Sequence, residues 1–328
     1  MLLHFFRKSF AVQYLAIGIT GIILWAPAWF NPPDIPEPSG PVPLYELFFG
    51  IFRSLPLLAS VLGFIVVLAS AYILNYMFTA EELVPKSSAL TGFFFILMMS
   101  GNPANMALTQ VNIAILCLIY VLHCLLKAYN RKDPVDLAFT AGFFISFASL
   151  FYIPSILLYG FLLTGFFVYR SLNWREWVAS FIGLITPLIF VASYYFLFDK
   201  MNAAVDSYRS FILPEPPSLA GVTPLFITVT GMMLVFIFAS VFRSIIHLAE
   251  RTVEMRKKMI VLFWMLFWMA VSIPWAKSCI TIHPSLSFIT VVPFVASFLL
   301  GVKKTFWWET LTWLFIAAIL VQSYLNVI

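Results

Sequence analysis

The chain has 328 residues, of which 62% are hydrophobic, 18% are aromatic and only 10% are charged, and its mean hydropathy is +0.99. This composition excludes an ordinary soluble domain, because too few polar side chains remain to form a hydrated surface. The formal net charge of +5 comes from basic residues that flank the hydrophobic runs. That placement is typical of membrane topology signals and does not indicate nucleic-acid binding.

Long uncharged runs recur along the chain and predict membrane helices, since a bilayer core about 30 Å thick needs roughly 20 apolar residues per span. In a bilayer such runs must be helical, so that each backbone group finds a partner within its own segment. The whole chain, 1–328, is therefore predicted to be one all-α, polytopic transmembrane bundle. It has about eleven membrane segments: 11–30, 56–79, 89–101, 104–126, 135–150, 152–169, 177–198, 222–242, 259–276, 284–302 and 308–327.

Two of these segments, 89–101 and 135–150, are shorter than the roughly 17 residues of a full span. Each is joined to its neighbour by a helix-breaking stretch, "SGNPAN" at 100–105 and "FYIPS" at 151–155. Paired short helices reach only part of the way across a bilayer, so they predict a cavity open to one side.

The distribution of basic residues predicts the orientation. With the N-terminus in the cytoplasm, the inside loops hold 15 of the 19 Lys and Arg residues and the outside loops hold 4. A single miscounted span would remove this bias, so it favours both the number of segments and a C-terminus on the outside. We therefore expect a multi-pass membrane protein with a cytoplasmic N-terminus.

Two outward loops, 31–55 and 199–221, are longer than a tight turn. The first continues into "PLYELFFGIFRSL" at 43–55, where apolar side chains fall mainly on one broad side. This pattern predicts an amphipathic helix that lies flat at the membrane interface. The prolines between residues 32 and 43 favour an extended chain before it.

Candidate chemical groups are few. The central parts of the predicted spans contain no Asp, Glu, Lys or Arg, which disfavours an ion-coupled transporter. The four histidines are scattered and predict no metal cluster, no cofactor motif is present, and the sequence leaves a divalent metal requirement open. The polar residues within the spans are interpreted as contacts between helices: Asn75, Thr109, Gln110, Asn112, Ser193 and Ser272.

The order of these segments resembles the GT-C superfamily, membrane glycosyltransferases that use polyprenyl-phosphate sugar donors. The likeness lies in a first span, an acidic outer loop, an interfacial helix and a second span, followed by hairpins of short helices. The stretch 136–196 is similar to the middle of such enzymes, and "IHPSLSFITVVPFVASFLLG" at 282–301 is similar to their late helix. The late helix also resembles that of a family of bacterial polytopic membrane proteins.

The resemblance implies a role for each charged residue near the outer surface. Asp34 would act as the base or orient the acceptor, with Glu37 as a second candidate, because a carboxylate can accept the proton of a hydroxyl group. The lipid phosphate would be bound by cationic side chains: Arg53, Lys200, Arg209, Lys277 and, near the start of the late helix, His283. The resemblance also implies a location in the bacterial inner membrane, with membrane lipids and a polyprenyl-phosphate-linked sugar as partners.

Other functions remain open at this point. The turn at 100–105 lacks the second acid that many GT-C enzymes carry, so a relative without catalytic activity fits the sequence as well. Such a relative would be a membrane subunit or scaffold of a cell-envelope complex, with a protein partner. A histidine at the end of a span is also often a structural residue, and an acidic, proline-rich loop is often a plain solvated connection. A transporter is the least favoured reading.

Overall fold

The structure is a computed structural model, and it describes residues 2–7, 11–33, 44, 48–50, 52, 54–85, 88–129, 131–169, 174–199, 201–202, 205–206, 209, 223–276, 279–302 and 305–325. Throughout these residues the secondary structure is helical, joined by turns and short 3-10 segments, without strands. The bounded α-helices are α1 Leu2–Phe6, α2 Ala11–Phe30, α3 Pro56–Ala80, α4 Leu90–Ser100, α5 Gln110–Ala128, α6 Val135–Ser149, α7 Tyr159–Tyr169, α8 Trp174–Leu197, α9 Pro224–Ile246, α10 Val253–Val271, α11 Phe288–Gly301 and α12 Phe306–Leu325.

Each predicted membrane segment overlaps one of these helices, although several helix ends differ from the predicted bounds. Within the described part of the chain, eight helical stretches are long and apolar enough to cross a membrane: Ala11–Phe30, Pro56–Ala80, Gln110–Ala128, Trp174–Leu197, Pro224–Glu250, Val253–Trp275, His283–Gly301 and Phe306–Leu325. Three apolar stretches are shorter, namely Leu90–Ser100, Val135–Ser149 and Ile153–Tyr169. The predicted all-α fold is thereby confirmed, and the eight long apolar stretches are consistent with a polytopic bundle.

The helices differ strongly in burial although all of them are apolar. Every residue of α4 is buried, and α5 and α11 are largely buried as well. By contrast, α8 buries only Glu176, Ser180, Gly183 and Pro187, which recur at intervals of three and four residues along one face. The core therefore consists of α4, α5 and α11, and α8, α9 and α12 present wide apolar surfaces on the outside of the bundle.

The connections between the helices form two groups, at opposite ends of the bundle. We call one the His283 end: it contains the turn from α4 to α5, the turn from α6 to α7 and the connection from α10 to α11, which are joined by side-chain hydrogen bonds. We call the other the Lys258 end, where Lys258 of α10 pairs with Glu81 at the end of α3 and Arg243 of α9 contacts Gly301 of α11.

The segment that follows α2 also reaches the His283 end. The backbone N–H of Leu44 donates to the carbonyl of Leu150, at 3.2 Å. Phe49 is fully buried in a small cluster with Phe151, and the ring of Phe48 meets that of Phe151 edge to face. The described residues of the predicted interfacial helix therefore pack against the connection between α6 and α7 as well as presenting apolar side chains outward.

Candidate functional site

A cavity of about 270 Å³ opens between α9, α10 and α11 at the His283 end. Its walls are apolar, because each of the three helices turns aliphatic or aromatic side chains toward it. They include Leu234 and Ile237 of α9, Leu266 and Ala270 of α10, and Phe288 and Val291 of α11. A cavity of this kind fits a hydrocarbon chain better than a polar metabolite.

Neutral polar groups occupy one part of the cavity lining: Asn102, Thr281, His283 and Ser285 are among them. The amide of Asn102 donates to the carbonyl of Thr281 at 2.8 Å, and its Oδ1 accepts from the backbone N–H of Ala104 at 3.1 Å. Asn102 thus caps the turn after α4 and also attaches that turn to the connection before α11. The cavity has a polar region that is held in place by both connections.

His283 is almost fully buried and uses both ring nitrogens. Nδ1 lies 2.5 Å from the hydroxyl of Tyr152, and Nε2 lies 3.1 Å from Oγ of Ser272 and 3.2 Å from the carbonyl of Met269. A carbonyl can only accept, and the Ser272 hydroxyl already donates to this same carbonyl at 2.8 Å. The network therefore assigns the proton to Nε2, with Tyr152 donating to Nδ1 of a neutral imidazole.

A second set of buried hydrogen bonds stabilises this arrangement. Nδ2 of Asn105 donates to Oγ of Ser285 at 2.7 Å, and Nε2 of Gln110 donates to Sγ of Cys279 at 2.9 Å. Both contacts join the region between α4 and α5 to the region before α11. The interpretation of Gln110 as a contact between helices is therefore consistent with the structure, and the polar lining of the cavity rests on a hydrogen-bonded frame.

The structure brings one predicted site residue to the cavity, namely His283. The predicted catalytic acids Asp34 and Glu37 and the cations Arg53, Lys200 and Lys277 lie outside the described residues. Arg209 is described and its side chain is exposed. His283 acts in this structure as a hydrogen-bonded member of the cavity lining. Because it is buried and has three hydrogen-bond partners, His283 differs from the surface cations that are predicted together with it to bind phosphate.

Sequence reasoning missed Tyr152, Asn102 and Ser285 as members of this site. A signal for each was present, since all three lie in or beside helix-breaking stretches: "SGNPAN", "FYIPS" and the His-Pro-Ser sequence at 283–285. The sequence marks these stretches only as breaks in helices. Their spacing does not show that they meet in space, since Tyr152 and His283, for example, are 131 positions apart in the sequence.

Metal binding finds no support in the described part of the chain, where no group of three His, Cys, Asp or Glu side chains is arranged to hold an ion. Comparison with known proteins gave no relative: no family model matches the chain, and no curated protein or solved structure matches it. The chemistry of the cavity and its polar lining is thus the basis on which a function is proposed.

Proposed function

We propose that this chain is a GT-C-like membrane protein that binds a polyprenyl-phosphate-linked sugar, or a similar lipid, at the outer leaflet of the bacterial inner membrane. The observation that carries the proposal is the cavity between α9, α10 and α11, with apolar walls and a neutral polar region at the His283 end. A long isoprenoid or acyl chain would lie against the walls, and hydroxyl groups of the head would bond with the polar region.

The predicted topology supports this location. With the N-terminus inside, the turns at 100–105 and 151–155 and the connection before α11 all face outward, which would place the His283 end at the outer leaflet. The short helices α4, α6 and α7 would then reach only part of the way across the bilayer. Because the segment containing Phe49 packs beside Phe151, the acidic outer loop begins and ends near this same end of the bundle.

The charged chemistry of the proposal rests on the resemblance to GT-C enzymes. Asp34, with Glu37 as the second candidate, would accept the proton of the acceptor hydroxyl while the lipid phosphate leaves. Arg53, Lys200, Arg209 and Lys277 are the cations available to bind that phosphate. His283 would contribute by positioning: its contacts with Tyr152 and Ser272 hold the polar lining in shape.

Lipid binding is tested by obstructing the cavity. Leu234 lines it and Val235 does not, although both are exposed on α9. Protein purified from its own membranes would be analysed by native mass spectrometry with lipid extraction. We expect the wild type and Val235→Trp to retain a polyprenyl-phosphate species and Leu234→Trp to lose most of it. Equal lipid content in both variants would overturn the assignment of the cavity.

Glycosyl transfer needs a separate test. Asp34→Asn should abolish transfer of sugar from a radiolabelled polyprenyl-phosphate hexose while lipid retention stays unchanged, because the amide cannot accept the proton. Full transfer activity of this variant would exclude Asp34 as the base. A protein that carries no such lipid and copurifies with a fixed partner would instead support a subunit or scaffold of an envelope complex.

A further inference from the structure

We propose a second binding site, for the phosphate of an anionic phospholipid, at the Lys258 end of the same three helices. It does not depend on the proposed function, since it lies at the opposite end of the bundle from the cavity described above. The site is formed by Arg243 of α9, Arg251 in the connection from α9 to α10, and the last turns of α11.

Two adjoining hollows form this site. One has a volume of about 310 Å³ and the other about 560 Å³, and both are lined by Arg251, Ser297 and Gly301. Arg243, Ser244 and His247 complete the smaller hollow on the side of α9. The guanidinium groups supply hydrogen-bond donors for an anion, in a recess large enough for a phosphate group and its ester oxygens. The Ser297 hydroxyl is already engaged, since it donates to the carbonyl of Leu83 at 3.3 Å.

Arg243 is held in place from two sides. Its Nη2 donates to the carbonyl of Gly301 at 3.2 Å, and its guanidinium carbon lies 5.9 Å from the centre of the Phe298 ring. A Cβ at position 301 would come within 3.2 Å of Nη2, so the glycine permits this close approach. Because a guanidinium has five N–H donors, this contact leaves donors for a ligand while the group is already oriented.

Arg251 supplies a charge that has no partner among the described residues. Its side chain is exposed, and among the described residues no hydrogen bond or ion pair engages its guanidinium. Two acids lie nearby. Glu250 lines the smaller hollow and pairs with His247 at 2.9 Å, and Glu82 lines the larger hollow together with Arg251. An anion bound between Arg243 and Arg251 would therefore gain a charge-assisted contact with each.

The surroundings favour a lipid as the source of this phosphate. Phe242, Ile245 and Ile246, on the last turns of α9, expose about half or more of their surfaces. Acyl chains would cover these side chains, and the headgroup would meet Arg243 and Arg251, which lie close to them in the sequence. The combination of a basic recess with an exposed apolar flank is typical of a site for an anionic lipid and less so of a site for a free anion.

Lys258 is excluded from this site although it belongs to the basic run "RKK" at 256–258. Its Nζ is buried between Glu81 Oε2, at 2.9 Å, and Glu254 Oε1, at 2.7 Å. A side chain neutralised by two carboxylates has no charge to offer a headgroup. Lys258 therefore holds the helices together, whereas Arg243 and Arg251 line the hollows.

The test measures phospholipid retention by native mass spectrometry after the purified protein is mixed with equal amounts of phosphatidylglycerol and phosphatidylcholine. We expect phosphatidylglycerol to be preferred, and the preference to fall about fivefold in Arg251→Gln, since each basic side chain near an anionic lipid contributes about 1 kcal/mol. Arg131→Gln is the matched control, because Arg131 is also exposed but pairs with Asp136 at 2.8 Å, outside both hollows.

Three outcomes would overturn the proposal: equal retention of both lipids, an unchanged preference in Arg251→Gln, or an equal loss in Arg131→Gln. If millimolar inorganic phosphate displaced the bound phosphatidylglycerol, the site would still be a phosphate site, but its assignment to a lipid would be overturned. Arg243→Gln should show the same loss as Arg251→Gln. Because Arg243 also contacts Gly301, the conclusion rests on Arg251→Gln, whose side chain makes no such contact.

Discussion

Tyr152 and His283 join two connections that are far apart in sequence and adjacent in space. Their hydrogen bond links the turn between α6 and α7 to the start of α11. Since both groups are buried, loss of one partner would leave the other without a hydrogen bond in an apolar environment, where water cannot replace it. The pair therefore stabilises the polar lining of the cavity.

Tyr152→Phe should destabilise the protein by about 2 kcal/mol, because Nδ1 of His283 would become an unpaired buried acceptor. The measurement is SDS-induced unfolding of the purified protein in detergent. Tyr76→Phe is the control, since the Tyr76 side chain is 72% exposed on the outside of α3. Equal stability of the two variants would show that the Tyr152–His283 contact contributes little.

The environment of Lys258 differs from what its sequence context indicates. It lies in a basic run next to a predicted span, yet its side chain is only 4% exposed and contacts two carboxylates. Glu81 belongs to the end of α3, so this ion pair joins α3 to α10. A buried ion pair of this kind stabilises the contact mainly because breaking it leaves a buried charge.

Lys258→Met should destabilise the protein by about 3 kcal/mol, since Glu81 would lose the cation that neutralises it. The double variant Lys258→Met with Glu81→Gln should recover much of this loss, because no unpaired buried charge then remains. Both are compared with Arg256→Met, whose side chain is exposed. If the single and double variants unfold at the same SDS concentration, the ion pair is not coupled in this way.

At the level of elements, the contact of α6 with α8 depends on small residues. A Cβ added at Gly142 would lie 2.0 Å from the carbonyl oxygen of Ser180, and one added at Gly183 would lie 2.1 Å from that of Phe139. The two backbones thus approach closely at both positions. Because lipid provides no hydrophobic drive for helix association, such close packing is a main source of attraction between membrane helices.

Gly142→Ala should destabilise the protein by about 2 kcal/mol, since the helices must separate to admit a methyl group. Gly231→Ala is the matched control: Gly231 also lies within a helix, α9, and a Cβ there meets no atom within 4 Å. We expect this control to be neutral or slightly stabilising. Thermal unfolding in detergent would separate the two cases, and a neutral Gly142→Ala would contradict the close approach.

For the whole molecule, the arrangement of helices is consistent with the predicted orientation. Lys257 lies 5.6 Å from the ring centre of Tyr129, so the connection from α5 to α6 is at the Lys258 end, together with the end of α3 and the start of α10. The sequence assigns these connections to the inside because they are rich in basic residues. The chain that follows α8 would then lie outside.

Cysteines placed in these two connections test the orientation. In a background with the three native cysteines replaced, Met201→Cys should react with a membrane-impermeant maleimide in intact spheroplasts, and Asp133→Cys should react only after permeabilisation. Both positions are exposed, so accessibility to the reagent depends on the side of the membrane. Labelling of Asp133→Cys in intact spheroplasts would reverse the predicted orientation.

The candidate site was only partly predictable. The resemblance to GT-C enzymes points to His283 as a phosphate ligand near the start of the late helix, and the structure shows that His283 lines the cavity. Tyr152 was not predictable, because it lies in a stretch that the sequence marks only as a helix break. A tyrosine before Ile-Pro-Ser forms no distinctive motif. A local pattern shows where a helix ends, but the partner of a side chain at that end depends on contacts between distant parts of the chain.

The class of protein, the presence of its helices and the breaks between them follow from the sequence alone. Hydrophobicity and helix-breaking residues are local properties, and a bilayer allows an apolar stretch few alternatives to a helix. The burial of α4, the exposed faces of α8 and the cavity beside His283 depended on tertiary structure. In lipid an apolar side chain is equally compatible with a helix neighbour or an acyl chain, so hydropathy does not distinguish the core from the surface.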